Sequence, residues 1–387
     1  MTGTLADAIA HALHDSSVTL ATHVPGFGAI QTFDAFSRLS QTRFATSFHE
    51  EAAFGVAHGA AIAGMRSAVV IKSHGLAKAM NAVMDSLSAG VTAAMLVLVF
   101  EDPSGTHSDN IIDIQPIVKG SGIPYRIANA DTAYRDIVES VAASERLELP
   151  HVVIFNADEI STTAKWQATA GSAVPTYTRN VTQRLVVPVF ASYQDEVLSA
   201  KLDDEDWRAI PQPQIPLIPE GLPADYQRAV TPYLPLFTIF RETFADTPNL
   251  FVAGDTGVST LSALAPYHIV HATTYMGGSI PLATGAALAG FTNAWAFTGD
   301  FSFIAAGQYG LIECQLRNIP LRVVIFVNNR AQTTGGQPIE AGMLERVLGG
   351  YEEHLIRLDR PNDPALTKRV LTEASQSDRL SIILAQF

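Results

Sequence analysis

The sequence predicts an α/β protein with two doubly wound parallel-sheet domains, one in each half of the chain. Three observations support this: 387 residues are more than one compact domain usually holds, buried strand patterns alternate with helical patterns in both halves, and a proline-rich stretch separates them. We place the first domain at 1–165, an extended linker at 166–230 and the second domain at 231–387.

The first half alternates between helix and strand patterns. Residues 50–64 are rich in Ala and Gly and predict a tightly packed helix, and the β-branched run at 67–72 predicts a buried parallel strand. We expect a loop, a second helix and two further strands at 73–75, 77–88, 93–100 and 150–155. This order predicts an open parallel sheet with helices on both faces.

The middle of the chain loses this periodicity. An acidic run at 203–206 precedes prolines that cannot continue a helix or a central strand, so we expect an extended connector, with a small separate domain as the alternative. These prolines are Pro211, Pro213, Pro216, Pro219 and Pro223. The alternation then resumes, with strands expected at 249–253, 295–298, 321–327 and 381–384 and helices at 277–290 and 305–317.

Composition and charge exclude several functional classes. The formal charge of −13 argues against a surface for nucleic acid or anionic membrane. Cys314 is the single cysteine, which excludes a disulfide framework, a cysteine zinc site and an iron–sulfur cluster held by this chain alone. The longest apolar run, 91–100, is too short to cross a bilayer, and residues 1–16 lack a secretory signal pattern. We therefore expect a soluble, cytoplasmic protein.

Polar residues follow two predicted strands of the second half. Gly299-Asp300 ends one strand and Asn328-Asn329 ends another, and the carboxyl ends of parallel strands share one edge of a sheet. A carboxylate, an amide oxygen and a backbone carbonyl suit Mg²⁺ and leave room for phosphate oxygens. Each piece alone is also typical of an ordinary turn or strand cap. Nearby glycines that permit close approach of backbone N–H groups to phosphate are Gly277, Gly278, Gly335 and Gly336.

These segments resemble the Gly-Asp-Gly…Asn-Asn signature of thiamine-diphosphate enzymes, although Phe301 stands where the second glycine usually lies. The segment 275–286 is similar to the family's Met-Gly-x-x-x-Pro-x-x-x-Gly-Ala pattern. The tail 334–338 resembles the branch of phosphonopyruvate and sulfopyruvate decarboxylases. The resemblance implies two domains of the thiamine-diphosphate-binding fold, with thiamine diphosphate and Mg²⁺ as cofactors.

The resemblance also implies ligands for these cofactors. Asp300, Asn329 and Ala331 are expected to hold the metal. Met276 would wedge between the two cofactor rings, and the carbonyl of Thr274 would accept from the aminopyrimidine. Further expected cofactor contacts are Asp255, Gly257, Gly277, Gly299, Ser302 and Phe303.

The segment 49–59 resembles the family's His-Glu-x-x-Ala…Ala-x-Gly pattern, in which the first glutamate contacts the cofactor. Glu50 is then the expected catalytic acid, and it needs a buried, apolar setting of the kind that the surrounding Ala, Phe and Val residues provide. Two alternatives stay open. Glu50 is also an ordinary first-turn glutamate favoured by the helix dipole, and Glu51 competes for the role.

Three histidines lie in loops that the resemblance places at the reactive end of the cofactor: His23, His74 and His107. They could protonate an intermediate or hold a substrate anion, and the alternative for each is a histidine that only packs. Few basic residues are available to bind an anionic substrate tail: Lys72, Lys78, Lys119 and Arg330.

The resemblance implies non-oxidative decarboxylation of a 2-oxo acid, phosphonopyruvate- or sulfopyruvate-like, to an aldehyde and CO2. The scarcity of basic residues leaves room for a neutral substrate tail. The alternatives are an acyloin-forming transferase, a subunit of a 2-oxo-acid oxidoreductase, and a binding protein without catalysis. The family arrangement also implies a homodimer or dimer of dimers with active sites at subunit interfaces, and neither nucleic acid nor membrane is expected as a partner.

Overall fold

The computed structural model describes residues 1–387, which divide into two units. The first unit contains 1–178 and 198–207, and the second contains 179–197 and 208–387. The predicted linker, 166–230, is therefore shared between the units, and its boundaries stay a prediction.

The first unit alternates strands and helices over most of its length. Its elements are β1 (Thr2–Thr4), α1 (Leu5–Asp15), β2 (Leu20–His23), α2 (Ala29–Leu39), α3 (Glu50–Ile62), β3 (Ser67–Lys72), α4 (Ser73–Ala89), β4 (Met95–Glu101), α5 (Gln115–Ser121), β5 (Tyr125–Ala128), α6 (Ala133–Leu147), β6 (His151–Asn156) and β7 (Thr163–Lys165).

Five of these strands form a parallel sheet in the order β2-β3-β4-β6-β5. Alternate side chains of the strands pack against α1, α2 and α6 on one face, as Val70 and Leu98 do. Helix α3 packs on α4 and on β2 and β3. Its residues 52–62 are all buried, and small side chains allow this close approach.

The second unit begins with helices and continues with alternating strands and helices. Its elements are α7 (Val181–Arg184), the start of α8 (Ala191–Leu202), α9 (Ala224–Val230), α10 (Leu234–Phe244), β8 (Leu250–Gly254), β9 (Ala272–Thr273), α11 (Ser279–Leu288), β10 (Asn293–Gly299), α12 (Asp300–Ser302), α13 (Gln308–Leu316), β11 (Arg322–Val327), α14 (Met343–Val347), β12 (Leu355–Leu358), α15 (Pro364–Gln376) and β13 (Ser381–Gln386).

Six strands of this unit form a parallel sheet in the order β12-β13-β11-β10-β8-β9. Trp295 and Phe297 of β10 point toward α10 and α15, where they join the aromatic core of the unit. Gly299 pairs with Phe326, and Phe297 pairs with Gly254. The carboxyl ends of β8, β10 and β11 therefore lie side by side, as the α/β prediction requires.

The observed elements confirm the parallel α/β prediction and correct one local detail. The loop expected at 73–75 is wrong, because α4 begins at Ser73 directly after β3, with Lys72 as its N-cap. Residues 210–223 of the predicted connector form no helix or strand, in line with their prolines. The rest of the connector does contain helices: α7 and α8 precede this segment in the chain, and α9 follows it. None of the helices combines the length and the apolarity needed to span a bilayer.

Candidate active site

A cavity of about 100 Å³ lies at the carboxyl edge of the second sheet. Its walls come from the segments that follow β8, β10 and β11. Asp300 is the only acidic side chain among the lining residues, and Arg330 is the only basic one. Of the predicted site residues, those that line the cavity are Gly257, Met276, Gly299, Asp300, Ser302 and Ala331.

The Asp300 carboxylate ties two strand ends together. Its Oδ2 accepts hydrogen bonds from the backbone N–H groups of Asn328 (2.9 Å) and Asn329 (2.6 Å), and its Oδ1 accepts from Phe301 N–H (2.8 Å). Burial raises the pKa of Asp300, and the backbone donors oppose that shift without a cationic side chain to help them. A bound cation would supply the missing positive charge.

Asn328 contributes its side chain to the cavity, whereas Asn329 contributes its backbone N–H to Asp300. Asn328 lines the cavity, and its Nδ2 donates to the hydroxyl of Tyr233 (2.7 Å). Asn329 has a φ of 58°, which asparagine tolerates better than most residues, and its side chain is exposed rather than part of the cavity wall. Asn329 therefore reaches Asp300 through its backbone N–H.

Ala331 supplies a backbone carbonyl at the cavity. That oxygen accepts from Gly336 N–H (3.0 Å) and Thr334 N–H (3.3 Å) within a tight turn. Sequence reasoning missed the lining residues Tyr233, Gln332 and Thr333, because their contribution depends on how the segment before α10 and this turn fold over the edge.

Two glycines leave the backbone open to the cavity. A Cβ at Gly257 would meet no atom within 4 Å, and one at Gly299 would meet only the Ser302 hydroxyl at 4.0 Å. Short helical segments begin just after each of them, at Val258 and at Asp300. This arrangement accommodates a phosphate-like anion.

Asp255 lies behind the cavity, not in its wall. Its Oδ2 accepts from Gly277 N–H (3.0 Å) and from the Thr298 hydroxyl (2.6 Å), so it ties the loop before α11 to β10. Thr274 and Phe303 are also buried outside the cavity wall. These predicted cofactor contacts, and Gly277 with them, do not line the cavity.

The raised pKa of Asp255 predicts that the free energy of unfolding depends on pH. Burial raises its pKa from the usual 3.8 to about 7, against the hydrogen bonds from Thr298 and Gly277. Because the folded chain holds this proton more tightly than the unfolded chain, the free energy of unfolding should fall as pH rises from about 4 to about 7 and then level off. We expect Asp255→Asn to remove that fall, which is on the order of 1–4 kcal/mol.

Urea unfolding of the cofactor-free protein between pH 4 and 8 measures this effect. Asp225→Asn, at an exposed helical site, serves as the control and should reproduce the wild-type slope. Parallel pH profiles for Asp255→Asn and wild type would contradict the prediction.

The backbone conformation at position 277 and the close approach of neighbouring backbone atoms both require a glycine. Its φ is 85°, and a Cβ there would lie 2.7 Å from Gly307 N and from Ser302 O, both backbone atoms. We expect Gly277→Ala to lower the free energy of unfolding by about 2–5 kcal/mol, since neither backbone atom can move away without shifting the helix after Asp300.

Gly350→Ala is the matched control for this prediction. Gly350 has a similar φ of 90°, and a Cβ there would meet no atom within 4 Å, so this change adds backbone strain without a clash. Equal losses of stability for the two variants, measured by urea unfolding, would show that the close approach at Gly277 contributes nothing.

His23 is a buried histidine at the carboxyl end of the first sheet. Its Nδ1 lies 3.0 Å from the carbonyl of Val70, its ring stacks on Phe33 at 4.5 Å, and its Nε2 has no hydrogen-bond partner. Burial lowers its pKa, which favours the neutral ring. Since the carbonyl must receive a proton from Nδ1, Nε2 presents a lone pair that can accept one.

Glu50 opens helix α3 and is mostly buried. Its Oε2 lies 2.9 Å from Lys78 Nζ, and its Cγ packs over Gly75. The setting is therefore less apolar than the sequence predicted, because an ammonium group faces the carboxylate. The competing Glu51 accepts from the amide of Asn81 (2.9 Å), and burial raises its pKa.

Of the other two predicted histidines, His107 lies in the loop 102–114 and His74, on α4, contacts that loop. His107 stacks on Phe27 at 3.5 Å, and His74 Nε2 lies 2.7 Å from the Asn110 amide oxygen. Asp102 organises the loop by accepting from His107 N–H (2.7 Å), and Lys72 donates to the His107 carbonyl (2.7 Å). Sequence reasoning missed Asp102, although its position after the predicted strand 93–100 was a usable signal.

Both units match known proteins. Residues 3–117 match a family model described as thiamine pyrophosphate enzyme, N-terminal TPP binding domain, and residues 254–366 match the corresponding C-terminal TPP binding domain. Together the two matches span more than half of the chain. No curated protein sequence matches it.

Two solved structures are similar along nearly their whole length. A thiamine diphosphate-dependent 4-hydroxybenzoylformate decarboxylase from Rhodococcus jostii RHA1 is 14% identical with a TM-score of 0.68, and the match covers 99% of each chain. A benzoylformate decarboxylase from Polynucleobacter necessarius is 11% identical with a TM-score of 0.64, covering 100% of this chain and 98% of that one. At these identities the similarity shows a shared fold.

Proposed function

Because this chain belongs to the thiamine pyrophosphate enzymes, we propose that it is a thiamine-diphosphate- and Mg²⁺-dependent lyase that removes CO2 from a 2-oxo acid and releases an aldehyde. The observation that carries the proposal is the buried Asp300 carboxylate, which lacks a cationic partner and shares its cavity with the open backbone of Gly257 and Gly299. The fold shared with benzoylformate decarboxylases supports the decarboxylase outcome.

The residues at the cavity fit a hard cation and a diphosphate. Asp300 offers a carboxylate oxygen at the cavity. To join it as ligands, the exposed Asn329 side chain would have to turn into the cavity, and the Ala331 carbonyl would have to exchange a hydrogen bond of its turn for the cation. No cluster of three or more His, Cys, Asp or Glu side chains forms a metal site, so the set would be completed by diphosphate oxygens and water. Gly257 and Gly299 would bring N–H groups to the diphosphate.

The cofactor supplies a nucleophilic carbon and an electron sink for the electrons that CO2 leaves behind. The chain supplies positions for protons. Glu50 would hold a proton at a carboxyl oxygen against the aminopyrimidine, in place of its contact with Lys78. His23 would accept a proton at Nε2, and His74 and His107 would orient the substrate carboxylate or move a proton.

The charges favour a substrate with a neutral tail. Lys78 faces Glu50, and Lys72 donates to the His107 carbonyl and to Ser108 Oγ. Arg330 is then the single cationic residue at the cavity. Together with the fold shared with benzoylformate decarboxylases, this makes an aromatic 2-oxo acid our first candidate. Phosphonopyruvate or sulfopyruvate, suggested by the segment 334–338, is the second, with Arg330 as its anion partner.

A panel of 2-oxo acids tests this proposal. The protein is loaded with Mg²⁺ and thiamine diphosphate, and CO2 release is measured with benzoylformate, 4-hydroxybenzoylformate, pyruvate, phosphonopyruvate and sulfopyruvate. We expect the aromatic acids to give the highest kcat/KM. Release that depends on an added aldehyde acceptor would favour the acyloin-forming alternative, and cofactor binding without CO2 release from any acid would contradict the lyase proposal.

We also propose a homodimer, or a dimer of dimers, in which Glu50 of one chain serves the Asp300 cavity of another. Apolar side chains are exposed beside both groups: Phe48, 70% exposed, lies two residues before Glu50, and Met276 and Phe301 are exposed at the cavity. A second copy of the chain would cover such side chains.

A further inference from the structure

A second cavity, of about 400 Å³, lies in the second unit at the opposite edge of its sheet. Asn249, just before β8, and the segment 267–271, just before β9, contribute to its wall. Because β8 and β9 are parallel, this is the amino edge, whereas Asp300 lies at the carboxyl edge. The two cavities are therefore separated by the length of the strands, about 15 Å.

The charged side chains that line this cavity are positive. Arg179 and Arg241 line it together with His268 and His271, and no Asp or Glu side chain does. Arg179 is fixed there by donating to the carbonyls of His268 (2.6 Å) and Val270 (2.8 Å). The side chain of Arg241 makes no ion pair. In a chain with a net charge of −13, such a cluster stands out from its surroundings.

The pKa values of both histidines are lowered, in part by the arginines. Burial, Arg179 and Arg241 all lower the pKa of His268, and burial with Arg179 lowers the pKa of His271 to about 3. Both rings are therefore neutral near pH 7. Nδ1 of His271 accepts from Val252 N–H (3.2 Å), so its ring carries its proton at Nε2, where it is a donor.

Aromatic side chains complete the wall. Phe240 and Tyr267 line the cavity beside the two arginines. Apolar ring surface next to two guanidinium groups, of which that of Arg179 is fixed, suits a ligand that has a planar body and an anionic end. The volume is within the range of small-molecule sites.

We propose that this cavity binds a small organic anion, with an apolar body against Tyr267 and a carboxylate or phosphate held by Arg179 and Arg241. The site is separate from the catalytic cavity and does not depend on the proposed reaction. Its distance from Asp300 makes it suited to a ligand other than the substrate.

Binding of three probes to the cofactor-loaded protein tests the proposal. The probes are benzoate, phenyl phosphate and the neutral benzamide, each followed by titration calorimetry and by tryptophan fluorescence. Trp295 packs against Phe240 at 5.1 Å, so its emission should change when the cavity fills. We expect saturable binding of at least one anion, with benzoate and phenyl phosphate distinguishing a carboxylate site from a phosphate site, and much weaker binding of benzamide.

Substitutions then locate the bound probe. Arg241→Gln and Arg179→Gln should each weaken anion binding about tenfold or more. Arg369→Gln, at an exposed site in the same unit, should leave it unchanged. Arg241 is exposed, so its loss should not disturb folding, which thermal unfolding checks.

Three results would overturn the proposal. They are no anion binding at millimolar concentration, equal binding of benzamide, and anion binding that is weakened by Arg330→Gln but not by Arg241→Gln. The last result would place the probe in the catalytic cavity.

Discussion

Replacing Glu50 by Gln is expected to lower kcat for CO2 release by about 10²–10⁴-fold while thiamine diphosphate and Mg²⁺ remain bound. Glutamine keeps the shape of the side chain but cannot hold and release a proton at its terminal oxygen. The change also leaves Lys78 without the carboxylate that lies 2.9 Å from it. Turnover of the best 2-oxo acid and cofactor affinity, measured separately, check the two halves of this prediction.

Glu51→Gln is the matched control. Glu51 is the next residue of α3 and accepts from Asn81, and we expect its replacement to change kcat only a few-fold. An inactive Glu51→Gln with an active Glu50→Gln would transfer the role to Glu51. Loss of cofactor binding in Glu50→Gln would instead indicate that Glu50 mainly anchors the cofactor.

Much of the fold could be predicted because its strands are continuous buried apolar runs. The predicted strand at 67–72 coincides with β3, and the one at 321–327 differs from β11 by one residue. Such runs have few alternatives in a parallel sheet, since both faces are covered. Once the strands are predicted, the residues at their carboxyl ends are known as well. For this reason the sequence predicts Asp300 at the edge of the sheet where the cavity lies.

The parts that could not be predicted depend on contacts between distant residues. The pairing of Glu50 with Lys78 joins two helices, and the loop held by Asp102 joins Lys72 to His107. Periodicity describes each segment by itself and says nothing about such pairs. The loop expected around His74 failed for a simpler reason, because β3 passes into α4 without a connecting turn.

Asp300→Asn is expected to weaken the binding of Mg²⁺ and thiamine diphosphate by at least about 100-fold, with a matching loss of activity at moderate cofactor concentrations. The variant removes the only carboxylate at the cavity. In the wild type, backbone N–H groups donate to both oxygens of the Asp300 carboxylate. The asparagine amide replaces one of these oxygens by an NH2 group, which cannot accept, so at least one of the hydrogen bonds is lost.

Titration with Mg²⁺ separates a binding defect from a folding defect. If the variant folds and lacks only a metal ligand, a large excess of Mg²⁺ and cofactor should restore part of the activity. Asp225→Asn, at an exposed position, should bind both like wild type. Unchanged Mg²⁺ and cofactor affinities for Asp300→Asn would remove Asp300 from the metal site.

Mixing the two inactive variants tests where the active site is assembled. Consider a dimer of one Glu50→Gln chain and one Asp300→Asn chain, in which each active site takes Glu50 from one subunit and Asp300 from the other. One of its two active sites then carries both substitutions, and the other carries neither. Random exchange of subunits should then restore about a quarter of wild-type activity, since half of the dimers are mixed and each has one intact site. If Glu50 and Asp300 of the same chain formed each site, every site would carry one defect and the mixture would stay inactive.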